Sequence, residues 1–152
     1  ALDRPYRKQY VQRGCFECHA SGQGIAACAS ALATRQRNYR GPLRKSDITA
    51  HDVLAAYDRG DIVAKRVLDD AVQYWGMAAA NLISIFNPEV VVFGGGVFGP
   101  ASRFLDDIAE VARRWAQPIA VEHVRFAPSM LGGQAALYGA AYVALRCARL
   151  LH

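Results

Sequence analysis

Asn87-Pro88-Glu89-Val90-Val91-Val92-Phe93-Gly94-Gly95-Gly96-Val97-Phe98-Gly99 is the segment on which the architecture turns. Asn87-Pro88 stops the helix before it, because a residue preceding proline is pushed out of the helical region. Val90 to Phe93 is an unbroken β-branched and aromatic run, which predicts a strand buried on both faces of a parallel sheet. Three glycines follow directly. Backbone there can approach a ligand closely, and amides near the start of the next helix favour phosphate.

Upstream, Asp61 opens the longest helix, which ends at Phe86. Its first half sets Lys65, Arg66, Asp69 and Asp70 on one side and Val63, Val67 and Ala71 on another. Its second half, from Trp75, is apolar almost all round. That pattern predicts a helix amphipathic where it starts and buried where it ends. Thr49 caps a short helix over Ala50 to Tyr57, with Arg59-Gly60 at its end. Ser21 caps another through Ile25, Ala29 and Leu32 to about Thr34. Arg35 to Ser46 contains Gly41-Pro42 and reads as a loop, and residues 1 to 14 are polar without a clear period.

Downstream, Pro100 suits the first turn of a helix to about Trp115. A second strand is expected near His123 to Ala127. Gly132-Gly133 opens a final helix containing Ala135 to Leu145. Two strands are too few for a stable sheet. The remaining strands are expected from sequence outside this chain or from a second subunit, so a homodimer or a complex with a missing half is expected.

The 152 residues are 53% hydrophobic and 20% charged, enough for a packed core and against disorder. Low-complexity runs and repeats are absent, which removes linkers, coiled coils and solenoids. Tyr74 to Phe86 is interrupted by Asn81 and Ser84 and is too short to span a bilayer, so no membrane partner is expected. The sequence starts Ala1-Leu2-Asp3-Arg4-Pro5, with neither an initiator Met nor an apolar signal region; an excised or processed chain is one reading. Cys15, Cys18, Cys28 and Cys147 are expected as free thiols in a reducing cytoplasm. The net charge of +5 rests on two basic clusters, Arg4 to Arg13 and Arg35 to Lys45. Neither interleaves aromatics for stacking, so a solvated surface is expected rather than a nucleic-acid partner.

Cys15-Phe16-Glu17-Cys18-His19 matches the C-x-x-C-H haem attachment pattern, which also needs an exported chain and a second axial ligand. On a helix, positions 15, 18 and 19 share a face and could begin a metal site. A structural zinc wants four ligands, and His51, His123 and His152 stand isolated, so free thiols are the simpler reading. Gly94-Gly95-Gly96-Val97-Phe98-Gly99 fits G-x-G-x-x-G. A dinucleotide site also needs an acid at the end of the next strand, and Phe126-Ala127-Pro128-Ser129 has none. A nucleotide or phosphate contact of another kind, or a plain tight turn, remains. Leu131-Gly132-Gly133-Gln134 with Gly139-Ala140-Ala141 reads as close helix packing.

Together these pieces resemble the carboxyl-terminal half of the ROK family (repressors, open reading frames and sugar kinases). Gly14-Cys15-Phe16-Glu17 with Ala20-Ser21-Gly22 looks like the end of its zinc and sugar motif. Ala79-Ala80-Asn81-Leu82 through Asn87 to Val97 looks like its helix, strand and nucleotide-side glycines. Leu131-Gly132-Gly133-Gln134-Ala135 with Gly139-Ala140-Ala141 looks like its terminal helix. The match runs over about residues 14 to 145 in the right order, with 1–13 as a divergent lead and 14–152 as a partial lobe.

The resemblance implies an α/β fold: the carboxyl-terminal lobe of an actin-like ATPase (ribonuclease H-like) fold, missing its first strands. It implies ATP and magnesium as cofactors and a hexose-type sugar as substrate. Glu17 would hydrogen-bond sugar hydroxyls, Gly94, Gly95 and Gly96 would form the nucleotide side, and Cys15 would be one zinc ligand. The family pattern is Cys-x-Cys-Gly-x-x-Gly-Cys-x-Glu, and Lys8, Tyr10 and Val11 replace its first two cysteines and glycine. No histidine precedes Cys15, so no zinc is expected there. The phosphate loop and catalytic aspartate would belong to the amino-terminal half, so the expectation is a sugar kinase lobe inactive by itself. The same lobe serves as the sugar sensor of ROK transcriptional regulators, which is the alternative reading.

Overall fold

A computed structural model describes Tyr6 and residues 8–148. Expectations resting on Ala1 to Pro5 and on His152 lie outside the described residues. The chain order is α1 (Gln9–Arg13), α2 (Cys15–Ala20), α3 (Gly22–Arg35), α4 (Ala50–Asp58), α5 (Ile62–Phe86), β1 (Val90–Phe93), α6 (Leu105–Trp115), α7 (Pro118–His123), β2 (Arg125–Pro128) and α8 (Ala135–Cys147). Short 3-10 segments, Pro100–Phe104 and Gly132–Gln134, lead into α6 and α8.

The long helix α5 is the spine. The Asp61 carboxylate accepts from the amides of Val63 and Ala64, each at 2.9 Å, which satisfies two donors that a helix start leaves orphaned. Its other oxygen accepts from the Tyr39 hydroxyl at 2.7 Å, and that hydroxyl accepts from the Leu43 amide at 3.2 Å. Burial, helped by the hydrogen bond to Asp61, raises the Tyr39 pKa above its usual value. Val63, Val67, Leu68, Ala71 and Trp75 of α5 pack with Ile25, Leu43, Val53 and Ile108 in the main core. The Trp75 indole donates to the Ala20 carbonyl at 2.9 Å, which fixes the α2–α3 junction onto the spine. Asn87 ends α5 in the left-handed region, φ 44°.

Helices α5 and α6 meet at Gly76. A β-carbon there would lie 2.4 Å from Val111 Cβ and 3.0 Å from the Ile108 carbonyl oxygen. Helix propensity alone favours alanine over glycine by about 1 kcal/mol. Overpacking against a neighbouring helix costs about 1–3 kcal/mol and outweighs that gain. Gly76→Ala is therefore expected to destabilise the fold by about 1–2 kcal/mol. Urea unfolding checks this, and a midpoint unchanged or raised would contradict the close approach.

Helix α6 lies in the crossover between β1 and β2, the kind of connection that parallel strands require. β1 pairs in parallel with β2, Val90 opposite Arg125 and Phe93 opposite Pro128. The second strand thus begins two residues later than its sequence pattern suggests, because α7 takes Pro118 to His123. The Gln117 side chain caps α7 at the Ala120 amide, 2.9 Å. Three short helices, α1, α2 and α7, escaped the sequence pattern; at five or six residues they are too short to show a period. Helix α1 occupies part of a segment that reads as polar and aperiodic.

Two burial expectations are corrected. β1 is half-buried rather than enclosed, and Val92 is 59% exposed. Among the described residues β2 is the only strand beside it. Val91 and Phe93 pack against a second core with Ala79, Ile83 and Ala112. The end of α5 is likewise one-sided: Ala79, Ala80 and Ile83 are buried, whereas Leu82, Ile85 and Phe86 face outward, Phe86 at 70% exposure. Helix α8 has no buried residue, although Leu137, Tyr138, Tyr142 and Val143 are apolar or aromatic.

Candidate functional site

The glycine run leaves β1 and turns at once. A β-carbon on Gly94 would sit 3.1 Å from Ser129 Cβ, so the loops after β1 and β2 lie against each other. Gly95 has φ 87°, a conformation that side-chain-bearing residues rarely adopt. Gly95 and Gly96 face open space, with nothing within 4 Å of where their β-carbons would be. The Phe98 amide donates to the Gly95 carbonyl at 3.2 Å and closes the turn.

The next residue, Val97, reaches a distant segment. A β-carbon on Gly22 would lie 3.3 Å from Val97 Cγ2, which brings the start of α3 beside the glycine run. Ser21 shapes that start: its hydroxyl accepts from the Gly24 amide at 3.0 Å and donates to the Glu17 carbonyl at 2.8 Å. A cavity of about 400 Å³ opens here, lined among others by Gly22, Gln23, Ile48, Thr49, Gly96 and Val97. The amino-terminal ends of α3 and α4 both border it, and such ends favour anions. At α4 the Thr49 hydroxyl and Asp52 carboxylate cap each other's amides at 3.2 and 2.8 Å. The Thr49 amide, then its hydroxyl, then Lys45 hold the Asp52 carboxyl down at about 2. The start of α4 is thus already neutralised by a carboxylate, while the start of α3 is capped only by a hydroxyl. The arrangement suits an anion between the start of α3 and Gly96.

A second cavity, about 250 Å³, follows β1 and is lined by Phe16, Leu82, Val91, Val92, Gly94 and Phe98. Phe16 therefore carries α2 up to the glycine run from the other side. Glu17, next to it in the first turn of α2, is exposed to solvent. The structure brings the Glu17 segment and the Gly94–Gly96 segment to one region, although about 75 residues separate them in sequence. Gly22, Ile48 and Thr49 were missed as lining residues. The Thr49 cap was legible, but no local signal told that its helix end faces the glycines.

None of the four cysteines forms a disulfide; Cys15 is exposed and Cys18 half-buried. His19 is buried, and both ring nitrogens are engaged, with Tyr10 and Cys28. Cys15, Cys18 and His19 do share α2, but the imidazole turns into the fold, away from any ligand set with Cys15. Among the described residues no three or more His, Cys, Asp or Glu side chains gather as a metal group. The basic loop holds itself: Arg40 donates to the Arg37 carbonyl at 2.7 Å and Arg44 to the Tyr39 carbonyl at 2.9 Å. No helix among the described residues is long and apolar enough to cross a membrane.

Comparison with known proteins bears on the same residues. The sequence model of the ROK family matches residues 11–147. A glucokinase from Halalkalibacterium halodurans is 33% identical over 133 residues, 86% of this chain and 40% of the relative. An N-acetyl-D-glucosamine kinase from Shigella flexneri is 32% identical over 97 residues, 63% of this chain and 28% of that one. Among solved structures, a ROK family glucokinase from Streptomyces griseus in complex with glucose and AMPPNP superposes with a TM-score of 0.70 at 29% identity, over 86% of this chain and 44% of that chain. A ROK family transcriptional regulator, a homologue of the Escherichia coli MLC protein, gives 0.69 at 25% identity, over 84% and 32%. The chain spans less than half the length of these relatives.

Proposed function

The chain belongs to the ROK family, and we propose that it is the carboxyl-terminal part of a ROK-type sugar kinase, which transfers the ATP γ-phosphate to a hexose-type sugar. The observation that supports this best is the meeting of the glycine run with the α2–α3 junction around one cavity. In this reading Gly94, Gly95 and Gly96 are the wall against the nucleotide, and Glu17 accepts hydrogen bonds from vicinal sugar hydroxyls. ATP supplies the phosphoryl group, with magnesium arriving on the nucleotide. No zinc is part of this reading, because Lys8 and Tyr10 stand where the family pattern has thiolates.

The other strands of the lobe, the phosphate loop and the catalytic aspartate would come from an amino-terminal half or a second subunit. The cytoplasm, where ATP and sugar meet, is the proposed location. The test of the site is Glu17→Ala in a protein that carries both halves. Sugar affinity is expected to fall by about 1–3 kcal/mol, the scale of a lost hydrogen bond to a charged group, with nucleotide affinity unchanged. Isothermal titration with glucose and with a nonhydrolysable ATP analogue measures both, and an unchanged sugar affinity removes Glu17 from the site.

The likeness to a ROK transcriptional regulator favours a second reading, a sugar-sensing lobe without phosphotransfer. Sugar binding by the two-lobed protein without ADP release, together with sugar-dependent DNA affinity, would select it.

A further inference from the structure

The sulfur of Cys28 lies 3.4 Å from His19 Nδ1, and the other ring nitrogen, Nε2, lies 2.7 Å from the Tyr10 hydroxyl. These side chains come from three helices, α3, α2 and α1. His19 is only 4% exposed, and its ring stacks on Tyr74 of α5, centroids 4.8 Å apart and planes 3° from parallel. The imidazole is thus held in one orientation, with an edge toward the thiol. Cys28 is half-buried and lines a cavity of about 200 Å³, shared with His19, Leu32, Arg35, Arg66 and Asp70. None of these residues lines the cavity at the glycine run.

We propose that Cys28 is a reactive thiol served by His19, and that it forms mixed disulfides with small, carboxylate-bearing disulfides entering this cavity. Either imidazole tautomer promotes the thiolate. With Nε2 donating to the Tyr10 oxygen, Nδ1 presents a lone pair that takes the Cys28 proton. With the Tyr10 hydroxyl donating to Nε2, Nδ1–H donates to sulfur and stabilises its charge. A thiolate rather than a thiol is the nucleophile, and a neighbouring imidazole is a recognised means of producing it. The Arg35 and Arg66 guanidiniums add positive charge, which favours the thiolate and attracts an anionic partner; Asp70 opposes them. The Cys18 carbonyl, 3.8 Å from the sulfur, is a competing acceptor for the thiol proton.

The exchange balances without another reactant. The Cys28 proton passes to His19 Nδ1, and the thiolate attacks one sulfur of R–S–S–R. The new Cys28–S–S–R bond forms as the old S–S bond breaks, and the departing RS⁻ takes the proton from the imidazolium. The Cys28 sulfur is oxidised and the leaving sulfur is reduced. Excess thiol reverses the reaction. A cysteine that merely fills space beside His19 would show no such preference.

The experiment uses the native chain, oxidised glutathione as probe, and peptide mass spectrometry to follow each cysteine with time. At neutral pH Cys28 is expected to react roughly tenfold or more faster than Cys15 and Cys147, although those two are exposed and Cys28 is half-buried. In concentrated urea that advantage disappears. His19→Asn is expected to lower the Cys28 rate roughly tenfold and move its pH profile to higher pH. Because His19 is buried and its variant can unfold, Arg66→Gln, on the exposed rim, is the second arm. It should reduce several-fold the preference for oxidised glutathione over the neutral hydroxyethyl disulfide, with the Cys15 rate unchanged. A Cys28 rate no greater than that of Cys15 or Cys147, or an advantage that survives in urea, overturns the proposal.

Discussion

The 152-residue chain alone is expected to release no sugar-dependent ADP with any member of a hexose panel. Phosphoryl transfer is catalysed by positioning the nucleophile in line and by neutralising charge on the transferred group. In the proposed site the wall at Gly94 to Gly96 does neither, since Gly95 and Gly96 present backbone to open space. At the α4 start that borders the cavity, Asp52 is already tied to Thr49, and Lys45 to Asp52 at 3.0 Å. Glu17 is exposed to solvent in the first turn of α2 and, in the proposed site, binds sugar rather than taking its proton. Loss of in-line positioning alone can remove about 7–11 kcal/mol of catalysis, which places turnover below detection. The same chain joined to an amino-terminal ROK kinase lobe is expected to regain activity. A coupled ADP-release assay on both proteins decides the matter. Turnover by the isolated chain that vanishes on replacing one of its own carboxylates would show that the base lies within these residues.

What the sequence made legible follows from the range of the interactions involved. The long helix, its Asp61 cap, the β-branched strand and the glycine turn are local patterns, and all four stand where their residues put them. The Thr49 capping box is equally local. The exposed face of α5 at Ile85 and Phe86 was not legible, because an apolar helix face looks alike whether this chain or another surface covers it. The cavity between Gly22, Thr49 and Val97 depends on three segments meeting, and no spacing within one segment encodes that. Cys15, Cys18 and His19 stand out in the sequence as one motif, yet the thiol in contact with the His19 ring is that of Cys28, nine residues on and on another helix. Departures from a family pattern were more informative than matches: Tyr10, standing where a zinc-binding cysteine would be, now bonds to His19.

Self-association, or capture of an amino-terminal lobe, is the expected behaviour of the isolated chain at micromolar concentration. Three apolar surfaces support this. Along α8, Leu137 is 70% exposed, with Tyr138, Tyr142 and Val143 also facing outward. Leu82, Ile85 and Phe86 form the outer face at the end of α5. Val92 sits on β1, a strand with a single neighbour among the described residues and an apolar cavity beside it. Scattered exposed leucines are ordinary on a protein surface, but a helix with no buried residue and several large apolar ones is not. Burying one such side chain contributes about 1.5–3 kcal/mol, so a lysine in its place should weaken association roughly tenfold to a hundredfold. Leu137→Lys, Phe86→Lys and Val92→Lys separate the three candidate surfaces, since the first disables the α8 face, the second the end of α5, and the third blocks edge pairing at β1. Sedimentation across a concentration series measures all three. The surface that mediates association is the one whose lysine variant shifts the curve toward monomer. A native chain that stays monomeric throughout would mean that these faces need no partner, and would remove the main structural ground for a missing half.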